Sequence, residues 1–422
     1  MKAVSDWDNI EIGQFAEVIG GGTPSTKQID HFGGDIPWLT PRDLVGFTNR
    51  YIFRGNTNLT PLGLKNSSAR LMLKDTVIFS SRAPIGYVAL AGCEIATNQG
   101  FRSLVCNQSK AFPEFVYYAM RFHTSRIENI AGGSTFKEIS GGMLEKYKIF
   151  LPPLPTQKKI ASILSTYDDL IENNNKRIKI LEEMAQNIYR EWFVHFRYPG
   201  HEDVPMVDSE LGQIPQGWEV KRISELYSIQ KGLSYGSEGL IESGGIPMIN
   251  LKNVNKGGGF RSEGIKNYSG EFKESHRVRG GDVVIAVTDM TPDRNIAGRA
   301  ARIPNYLGEA IISTDLVRME SVAKIGKAYT YGLFSFSTLP LYLKEFASGT
   351  NVQHLSSSAI SIQKVIVPPQ SLQEEYDQIS EPSYALKDDL EEKNQNLRKT
   401  RDLLLPRLIS GQLDVEELDI EV

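Results

Sequence analysis

Cysteine is almost absent from this sequence: Cys93 and Cys106 are the only two in 422 residues. In a reducing cytosol such residues are expected to be small buried thiols rather than a disulfide. The six histidines form no cluster with the ligand spacing of a metal site. No apolar run is long enough to span a membrane, and the first residues contain no apolar stretch typical of a signal peptide. We therefore expect a cytoplasmic protein without a bound metal.

The sequence also lacks a strong excess of either charge, since its net charge is −4. This net value hides an uneven distribution of charge along the chain. Residues 1–155 contain 16 basic and 13 acidic side chains, residues 205–368 contain 18 and 16, and residues 369–422 contain 6 and 14. The two larger segments are mildly basic, which is compatible with nucleic-acid binding. It is weak support, because a protein that contacts many phosphates usually has a clearer basic patch.

What the sequence does contain is an internal duplication. Trp7 and Trp218 each begin a segment that reaches an Ile-Pro pair, at Ile36 and Ile246, after 29 and 28 residues. Further matches, in chain order, are the apolar runs 75–79 and 282–286, the loops 80–88 and 287–300, the segments 132–140 and 348–356, and LPP (151–153) and VPP (367–369). Two copies of one β-rich domain, each followed by a helix, are predicted.

Each copy ends in a helical stretch whose apolar residues recur at alternating steps of four and three. The first series is Ile160, Leu164, Tyr167, Ile171, Asn174, Ile178, Leu181, Ala185, Ile188 and Trp192. The second, displaced by 212 residues, is Leu372, Tyr376, Ile379, Ser383, Leu386, Leu390, Lys393, Leu397, Thr400 and Leu404. Such a repeat over more than four heptads predicts an antiparallel coiled coil of residues ~156–192 with ~372–410. The alternative is two amphipathic helices packed on a single core.

Proline and glycine residues mark the predicted ends of these helices. The LPP and VPP segments stand at their starts, and Gly411 follows the second helix where a helix can stop. Pro382 and Pro406 lie within the second stretch, and each predicts a kink or a break near the helix ends. Polar seam residues such as Asn174 are interpreted as fixing the register or marking where the seam opens.

These features predict an α+β protein with a pseudo-two-fold repeat. Two similar mixed α/β domains, residues 1–155 and 205–368, are separated by helical segments 156–204 and 369–422. About 35 helical residues at ~1.5 Å each give a spacer of roughly 50 Å. Two equivalent domains on an antiparallel helix pair suit duplex DNA, which has its own approximate two-fold symmetry. A split site with halves about one turn apart, roughly 34–36 Å, would match.

Several segments resemble the specificity subunits of Type I restriction-modification systems. Residues 151–196 are similar to the family's central conserved region, and residues 208–220 to the segment that leads into its second target-recognition domain. Residues 403–415 resemble its C-terminal conserved ending, while Gly20-Gly21-Gly22-Thr23-Pro24-Ser25 and the Ile-Pro-Trp segment resemble the start of a recognition domain. The resemblance covers essentially the whole chain and is most specific in the helical regions.

The resemblance implies a role within a larger complex. One such subunit binds two copies of a DNA methyltransferase subunit, and two copies of an ATP-driven restriction subunit join. Each recognition domain reads one half of a split target, and the helices separate the domains and dock the methyltransferase. S-adenosylmethionine, ATP and Mg²⁺ are expected on the partners only, so this chain is expected to need no cofactor and to be no enzyme.

The two copies differ where they are expected to meet DNA. Met248-Ile249-Asn250 stands where the first copy has Trp38-Leu39-Thr40, and Lys231-Gly232-Leu233-Ser234 stands where it has Gly22-Thr23-Pro24-Ser25. We therefore expect an asymmetric target rather than a palindrome.

Motifs for catalysis are missing. A base methyltransferase needs an Asn/Asp-Pro-Pro-aromatic turn, and neither Leu151-Pro152-Pro153-Leu154 nor Val367-Pro368-Pro369-Gln370 has its polar first or aromatic fourth residue. The glycine run 20–22 lacks the Lys-Ser/Thr of a phosphate loop. A nuclease-methyltransferase fused to recognition domains is thereby disfavoured. A coiled-coil adaptor for protein partners stays open as an alternative.

Candidate DNA contacts lie in loops between predicted strands. Arginine reads guanine through two hydrogen bonds, and Asn or Gln reads adenine likewise. The base-reading candidates are Arg82, Asn98 and Gln99 with Ser81 in the first copy, and Thr288, Asp289, Arg294, Thr350, Asn351, Gln353 and His354 in the second. Thr23 and Ser25 join the first set, and the phosphate-contact candidates are Lys27, Arg42, Lys137, Lys231 and Lys252.

Overall fold

The duplication appears in the computed structural model as two units of similar topology. The structure describes residues 7–133, 137–291, 293, 295–350 and 352–418. Unit 1 comprises Met1–Asn173 and Asn394–Val422, and unit 2 comprises Asn174–Lys393. Each long helix contributes one part to each unit.

Unit 1 is built around a five-stranded and a three-stranded sheet. Its strands are β1 (Asp8–Glu11), β2 (Ala16–Gly20), β3 (Phe32–Leu39), β4 (Tyr51–Ile52), β5 (Thr57–Leu59), β6 (Val77–Ser81), β7 (Ile85–Ala91), β8 (Ala96–Thr97), β9 (Arg102–Cys106) and β10 (Lys148–Leu151). The helices are α1 (Pro61–Lys65), α2 (Pro113–Ile130), α3 (Gly141–Glu145) and α4 (Leu154–Tyr189), which continues into unit 2. The sheet orders are β2-β9-β6-β7-β4 and β5-β3-β8, and β1 pairs with β10.

Unit 2 repeats this arrangement. Its strands are β11 (Met206–Ser209), β12 (Gly212–Pro215), β13 (Glu219–Arg222), β14 (Tyr227–Lys231), β15 (Leu240–Ile241), β16 (Ile246–Ile249), β17 (Lys266–Tyr268), β18 (Arg277–Arg279), β19 (Val283–Ala286), β20 (Thr288–Asp289), β21 (Ala300–Arg302), β22 (Glu309–Ile312), β23 (Leu316–Ser321), β24 (Gln353–His354) and β25 (Lys364–Val367). The helices are α5 (Ile223–Leu226), α6 (Lys327–Ser335), α7 (Leu339–Glu345), α8 (Ser357–Ser361) and α9 (Gln370–Ile409), which continues into unit 1.

The strand pairings of the two units correspond. The order β14-β23-β19-β21 matches β2-β9-β6-β7, and β17-β16-β22 matches β5-β3-β8. In both units the second of these sheets combines an antiparallel and a parallel pair, β3 with β5 and β8 in unit 1 and β16 with β17 and β22 in unit 2. The first and last strands of each domain close it, as β1–β10 and β13–β25. The predicted internal repeat and fold class are confirmed.

Each unit has its own core, and both long helices enter it. In unit 1, Phe79 and Phe115 pack in one cluster with Leu164 of α4 and Leu408 of α9. In unit 2, an aromatic cluster joins Tyr189 and Phe193, at the end of α4, to Trp218, Tyr329 and Tyr376. Burial of such large side chains is worth roughly 1.5–3 kcal/mol each, so the helices stabilise both domains as well as connecting them.

The long helices are antiparallel in each unit. In unit 1, Asp168 of α4 pairs with Arg401 of α9, and Lys159 donates to the carbonyl oxygens of Glu416 and Leu418. In unit 2, Lys387 lies 3.4 Å from Glu182, and the Tyr376 hydroxyl donates to the Ala185 carbonyl oxygen at 3.2 Å. Earlier residues of one helix thus meet later residues of the other, as predicted.

The seam on α9 is not the predicted leucine stripe. Leu386 is 37% exposed and Ile379 is 42% exposed, so both predictions are wrong. The buried side of α9 instead carries polar residues, namely Ser380, Asp388, Asn394 and Arg401, beside Tyr376, Tyr384 and Leu390. Of the other predicted seam residues, Leu164 and Ile171 are buried, and Ile178, Leu181, Ile188, Leu397 and Leu404 are half-buried. Polar side chains with hydrogen-bond partners can occupy a seam, which a search for apolar residues overlooks.

The effects predicted for proline and glycine on α9 are found only in part. α9 runs as one helix through Pro382 and Pro406, so neither proline breaks it, and a kink at either one stays a prediction. Pro382 is exposed, and water can satisfy the carbonyl group that its missing N–H leaves free. Gly411 has a φ of 67° and its N–H donates to the Leu408 carbonyl oxygen, so it ends α9 as expected.

The two cysteines are free thiols, and both are half-buried rather than fully buried as expected. Burial raises the pKa of the Cys106 thiol to about 12. No helix within the described part of the chain is long and apolar enough to cross a membrane.

Candidate nucleic-acid interface

An open groove in unit 1 brings together several of the predicted DNA-contacting residues. Its volume is 560 Å³, and it is lined by Thr40, Pro41, Arg42, Asp43, Asn56, Thr57, Arg82, Ala83, Asn98 and Gly100. Four segments that are distant in sequence meet there, each presenting a polar side chain. We call it the unit 1 groove.

Asp43 holds one wall of the unit 1 groove in shape. One of its carboxylate oxygens accepts from the Thr40 N–H and hydroxyl at 2.7 and 2.8 Å, and the other accepts from the Asn56 N–H and side-chain amide at 2.9 and 2.8 Å. The turn at Pro41–Leu44 is thereby capped and tied to the strand that follows it. Arg42 sits on this rigid turn with its side chain exposed.

Arg82 also lines the groove, in the loop that directly follows β6. Ser80 folds this loop, since its hydroxyl donates to the Pro84 carbonyl oxygen and accepts from the Tyr87 N–H, both at 2.8 Å. The Arg82 guanidinium lies 3.7 Å from Glu138, and about 37% of each side chain's surface is exposed. Exposed ion pairs of this kind contribute less than about 1 kcal/mol, so Arg82 can exchange this contact for one with DNA.

The glycine run before Ser25 has a packing role. A side chain at Gly21 would come within 2.0 Å of the Asn98 carbonyl oxygen, and one at Gly22 within 2.3 Å of Ser68. The Trp38 indole N–H donates to the Gly22 carbonyl oxygen at 3.1 Å. The run therefore lies directly against the end of β8 and the residue that follows it, Asn98. This packing brings Thr23 next to Gln99, and the Thr23 hydroxyl donates a hydrogen bond to the Gln99 side-chain oxygen.

The remaining first-copy candidates fall in different places. Asn98 lines the groove, and its side-chain oxygen accepts from the Gly100 N–H at 2.8 Å, which leaves its amide NH₂ free to donate. Ser25, Lys27 and Lys137 are exposed outside the groove lining. Ser81 is fully buried, so its prediction as a DNA contact is wrong. The Ile139 N–H donates to the Ser81 carbonyl oxygen, which places a returning segment over it.

In unit 2 the equivalent loop is organised by Asp289. Its carboxylate accepts from the N–H and hydroxyl of Thr291 at 2.7 and 2.6 Å, and from the N–H groups of Ile296 and Ala297 at 2.7 Å each. Burial alone would raise the pKa of Asp289, but these hydrogen bonds outweigh it and lower the pKa. Asp289 and Thr288 are both buried, so their prediction as DNA contacts is wrong.

The other second-copy candidates lie near this loop or on exposed turns. β20 pairs with β24, so Thr288 faces His354 and Asp289 faces Gln353. His354 is exposed, whereas Gln353 is 9% exposed and its side-chain oxygen has no hydrogen-bond partner in the described part of the chain. Lys231, Lys252 and Thr350 are exposed. Arg294 and Asn351 lie outside the described residues.

The two units present equivalent positions with different chemistry. The turn Leu251–Asn253 follows β16 as Pro41–Leu44 follows β3, so Lys252 occupies the place of Arg42. Asn253 accepts from the Asn250 N–H at 2.9 Å, as Asp43 accepts from that of Thr40. The backbone β-bridge between Arg82 and Glu138 in unit 1 corresponds to the strand pairing of Thr288 with His354 in unit 2.

Sequence reasoning missed three residues that shape the unit 1 groove: Thr40, Asp43 and Asn56. The signal for the first two was present, because Thr-x-x-Asp is a capping pattern. Among the described residues, no group of three or more His, Cys, Asp or Glu side chains is placed to hold a metal ion.

The family model for the Type I restriction modification DNA specificity domain matches this chain twice, over residues 4–183 and 215–397. This chain belongs to the Type I restriction-modification specificity subunits. The two matched regions correspond to the two halves of the internal repeat, so the resemblance noted in the sequence is confirmed.

Individual relatives agree with this assignment. The MjaIX specificity subunit of Methanocaldococcus jannaschii is 34% identical, over 99% of this chain and 96% of its own length. The EcoR124I/EcoR124II specificity subunit of Escherichia coli is 25% identical over 42% of this chain and 45% of its own. The crystal structure of a Type I S subunit from M. genitalium superimposes with a TM-score of 0.62, covering 97% of this chain and 98% of that one. At 17% identity, this last likeness shows the fold.

Proposed function

We propose that this chain reads a bipartite, asymmetric duplex DNA target for a Type I restriction-modification complex. Each unit reads one half-site. The chain docks two methyltransferase subunits and two restriction subunits, and it has no catalytic activity of its own. S-adenosylmethionine, ATP and Mg²⁺ bind to those partner subunits and not to this chain.

The unit 1 groove is the observation that carries the DNA-reading role. It combines two guanidinium groups, Arg42 and Arg82, with the amide side chains of Asn56 and Asn98. Arginine and asparagine make the two-point contacts that distinguish guanine and adenine in the major groove. The turns that carry them are fixed by Asp43 and Ser80, so the donors are held in position before DNA arrives.

Asymmetry of the target follows from the unequal chemistry of the two units. The buried Thr288 and exposed His354 replace the Arg82–Glu138 pair. Two sites with such different donors and acceptors are not expected to select the same bases.

The docking role is supported by apolar side chains on the outer faces of the long helices. Leu170 and Leu403 are exposed in unit 1, and Ile180 and Met184 are exposed in unit 2. These residues lie outside the buried seam of each helix. Ile180 and Met184 are four residues apart on α4 and therefore lie side by side, and contiguous exposed apolar surface is typical of protein-protein interfaces.

Substitutions in the unit 1 groove should separate base reading from phosphate contact. We expect Arg82→Ala to cost about 1–3 kcal/mol at one base pair of the target and to relax selection there. We expect Arg42→Ala to weaken binding about equally for all duplexes and to lower the slope of log affinity against log salt by about 1. The measurement is binding of the reconstituted methyltransferase complex to a duplex library at several salt concentrations.

Arg70→Ala is the matched control, because Arg70 is an exposed arginine of unit 1 that pairs with Glu17 and does not line the groove. It should leave both affinity and selection unchanged. If the purified chain and its complex bind no duplex DNA at low salt, the chain is a protein adaptor and the proposal fails. Equal effects of Arg82→Ala and Arg70→Ala would contradict the assignment of the groove.

A further inference from the structure

Unit 2 contains a second cavity that has no part in the proposed DNA reading. It has a volume of 380 Å³ and lies between the end of α4, the middle of α9, the glycine turn at 257–259 and the start of β21. Of the unit 2 DNA-contact candidates that the structure describes, none lines it. Its size falls within the usual range of small-molecule sites. We call it the arginine pocket.

Four cationic side chains line the arginine pocket, and two of them are neutralised by carboxylates. Arg302 lies 3.1 Å from Asp388 and 2.7 Å from Glu381. Lys387 lies 3.0 Å from Glu391 and 3.4 Å from Glu182. These four carboxylates are therefore already engaged, and they are not available to the two remaining cations.

Arg190 and Arg299 are the remaining cations, and the Arg190 guanidinium donates to the side-chain oxygen of Gln186 at 2.7 and 3.0 Å. Within the ranges that the structure describes, neither has a carboxylate within 4.0 Å. The Arg299 Nε–H is buried and has no hydrogen-bond acceptor among those residues. A buried charged donor without an acceptor is costly, so the pocket favours a ligand that supplies negatively charged oxygen atoms.

Aromatic side chains form the rest of the wall. Phe260, Tyr331, Phe336 and Tyr384 line the pocket together with the amides of Gln186 and Asn255. The glycines at 257–259 all have positive φ, and no side chain from them occupies the space. Aromatic faces accept planar rings by stacking, and amides can hydrogen-bond the edge of a heterocycle.

We infer that the arginine pocket binds a nucleoside monophosphate, with its phosphate on Arg190 and Arg299 and its base against the aromatic wall. The number of terminal oxygen atoms distinguishes between phosphate ligands. A phosphate monoester presents three such atoms, so it can accept hydrogen bonds from both guanidinium groups at once. A phosphodiester of DNA presents only two. This ligand is independent of the DNA target, so its test does not depend on the proposed function.

The experiment is calorimetric titration of the full chain with adenosine 5′-monophosphate, adenosine, inorganic phosphate and a short duplex without the target. We expect the monophosphate to bind at least about tenfold more tightly than adenosine or phosphate alone, because each supplies only half of the contacts. Arg299→Gln should weaken the monophosphate by about tenfold or more, since it removes a charge-assisted hydrogen bond. Arg261→Gln, an exposed arginine of unit 2 paired with Glu263, is the matched control and should change nothing.

Lack of monophosphate binding at about 10 mM, far weaker than cellular ligands, would overturn the inference. So would equal losses in Arg299→Gln and Arg261→Gln. If Arg299→Gln weakens binding of the duplex but not of the monophosphate, the pocket contacts a DNA backbone phosphate instead, and the inference is wrong. A thermal melt of each variant shows that unit 2 has folded before its binding is compared.

Discussion

Arg401→Met is expected to lower the free energy of unfolding of unit 1 by about 3 kcal/mol. Arg401 and Asp168 are 8% and 9% exposed, and their ion pair joins α9 to α4 within the unit. Asp168 also accepts from the Tyr118 hydroxyl at 2.5 Å, which ties the helix pair to α2. Removing the guanidinium leaves a buried carboxylate whose nearest remaining cation, Arg121, is 3.9 Å away. Chemical denaturation monitored by circular dichroism measures the loss.

Lys399→Met is the matched control, because Lys399 is exposed on the same helix and loses the same charge. It should change stability by less than about 0.5 kcal/mol. Adding Asp168→Asn to Arg401→Met removes the uncompensated charge and should recover part of the loss. Equal stabilities of the Arg401 and Lys399 variants would show that the buried pair does not join the helices.

Asp289→Ala is expected to open the loop 290–297 of unit 2 at a cost of about 3 kcal/mol. The substitution removes the acceptor of three backbone N–H groups, and each buried donor without a partner costs about 1–3 kcal/mol. Hydrogen exchange should show loss of protection at the Ile296 and Ala297 amides, while β19 stays protected. Binding to the half-site read by unit 2 should fall, with the other half-site unaffected.

Asp293→Ala, in the same loop but exposed, is the control and should leave exchange unchanged. A pH series gives an independent check. The pKa of Asp289 is lower in the folded chain than its ordinary value of 3.8, so its stabilisation is present above about pH 4 and is lost as the pH falls below that. Full protection of Ile296 and Ala297 in Asp289→Ala would contradict this role.

The repeat was readable from sequence because it rests on local signals. The LPP and VPP segments predicted helix starts, and α4 and α9 begin at Leu154 and Gln370, directly after them. Local patterns also predicted the buried runs that became β6 and β19.

The errors concern residues whose surroundings are set by distant parts of the chain. In the sequence, Ser81 and Asp289 come after the predicted strands 75–79 and 282–286 and resemble exposed loop residues. In the structure, segments more than 50 residues later return to cover them, through Ile139 and β24. The prediction of which α9 residues form the buried seam was wrong for a related reason. Arg401 and Asp388 are buried only because their partners, Asp168 and Arg302, come from elsewhere in their units, which no heptad pattern records.

We propose above all that the two units read the two halves of one split target independently. β1 pairs with β10, so residues 1–155 contain both closing strands of the first domain and can be exchanged as a block for those of a relative. The decisive measurement is genome-wide mapping of methylated sites for the parent and this chimera, each with the same methyltransferase subunit. We expect one half-site to change while the other half-site and the spacer stay the same. Simultaneous change of both half-sites, or a shift in the spacer, would contradict the claim.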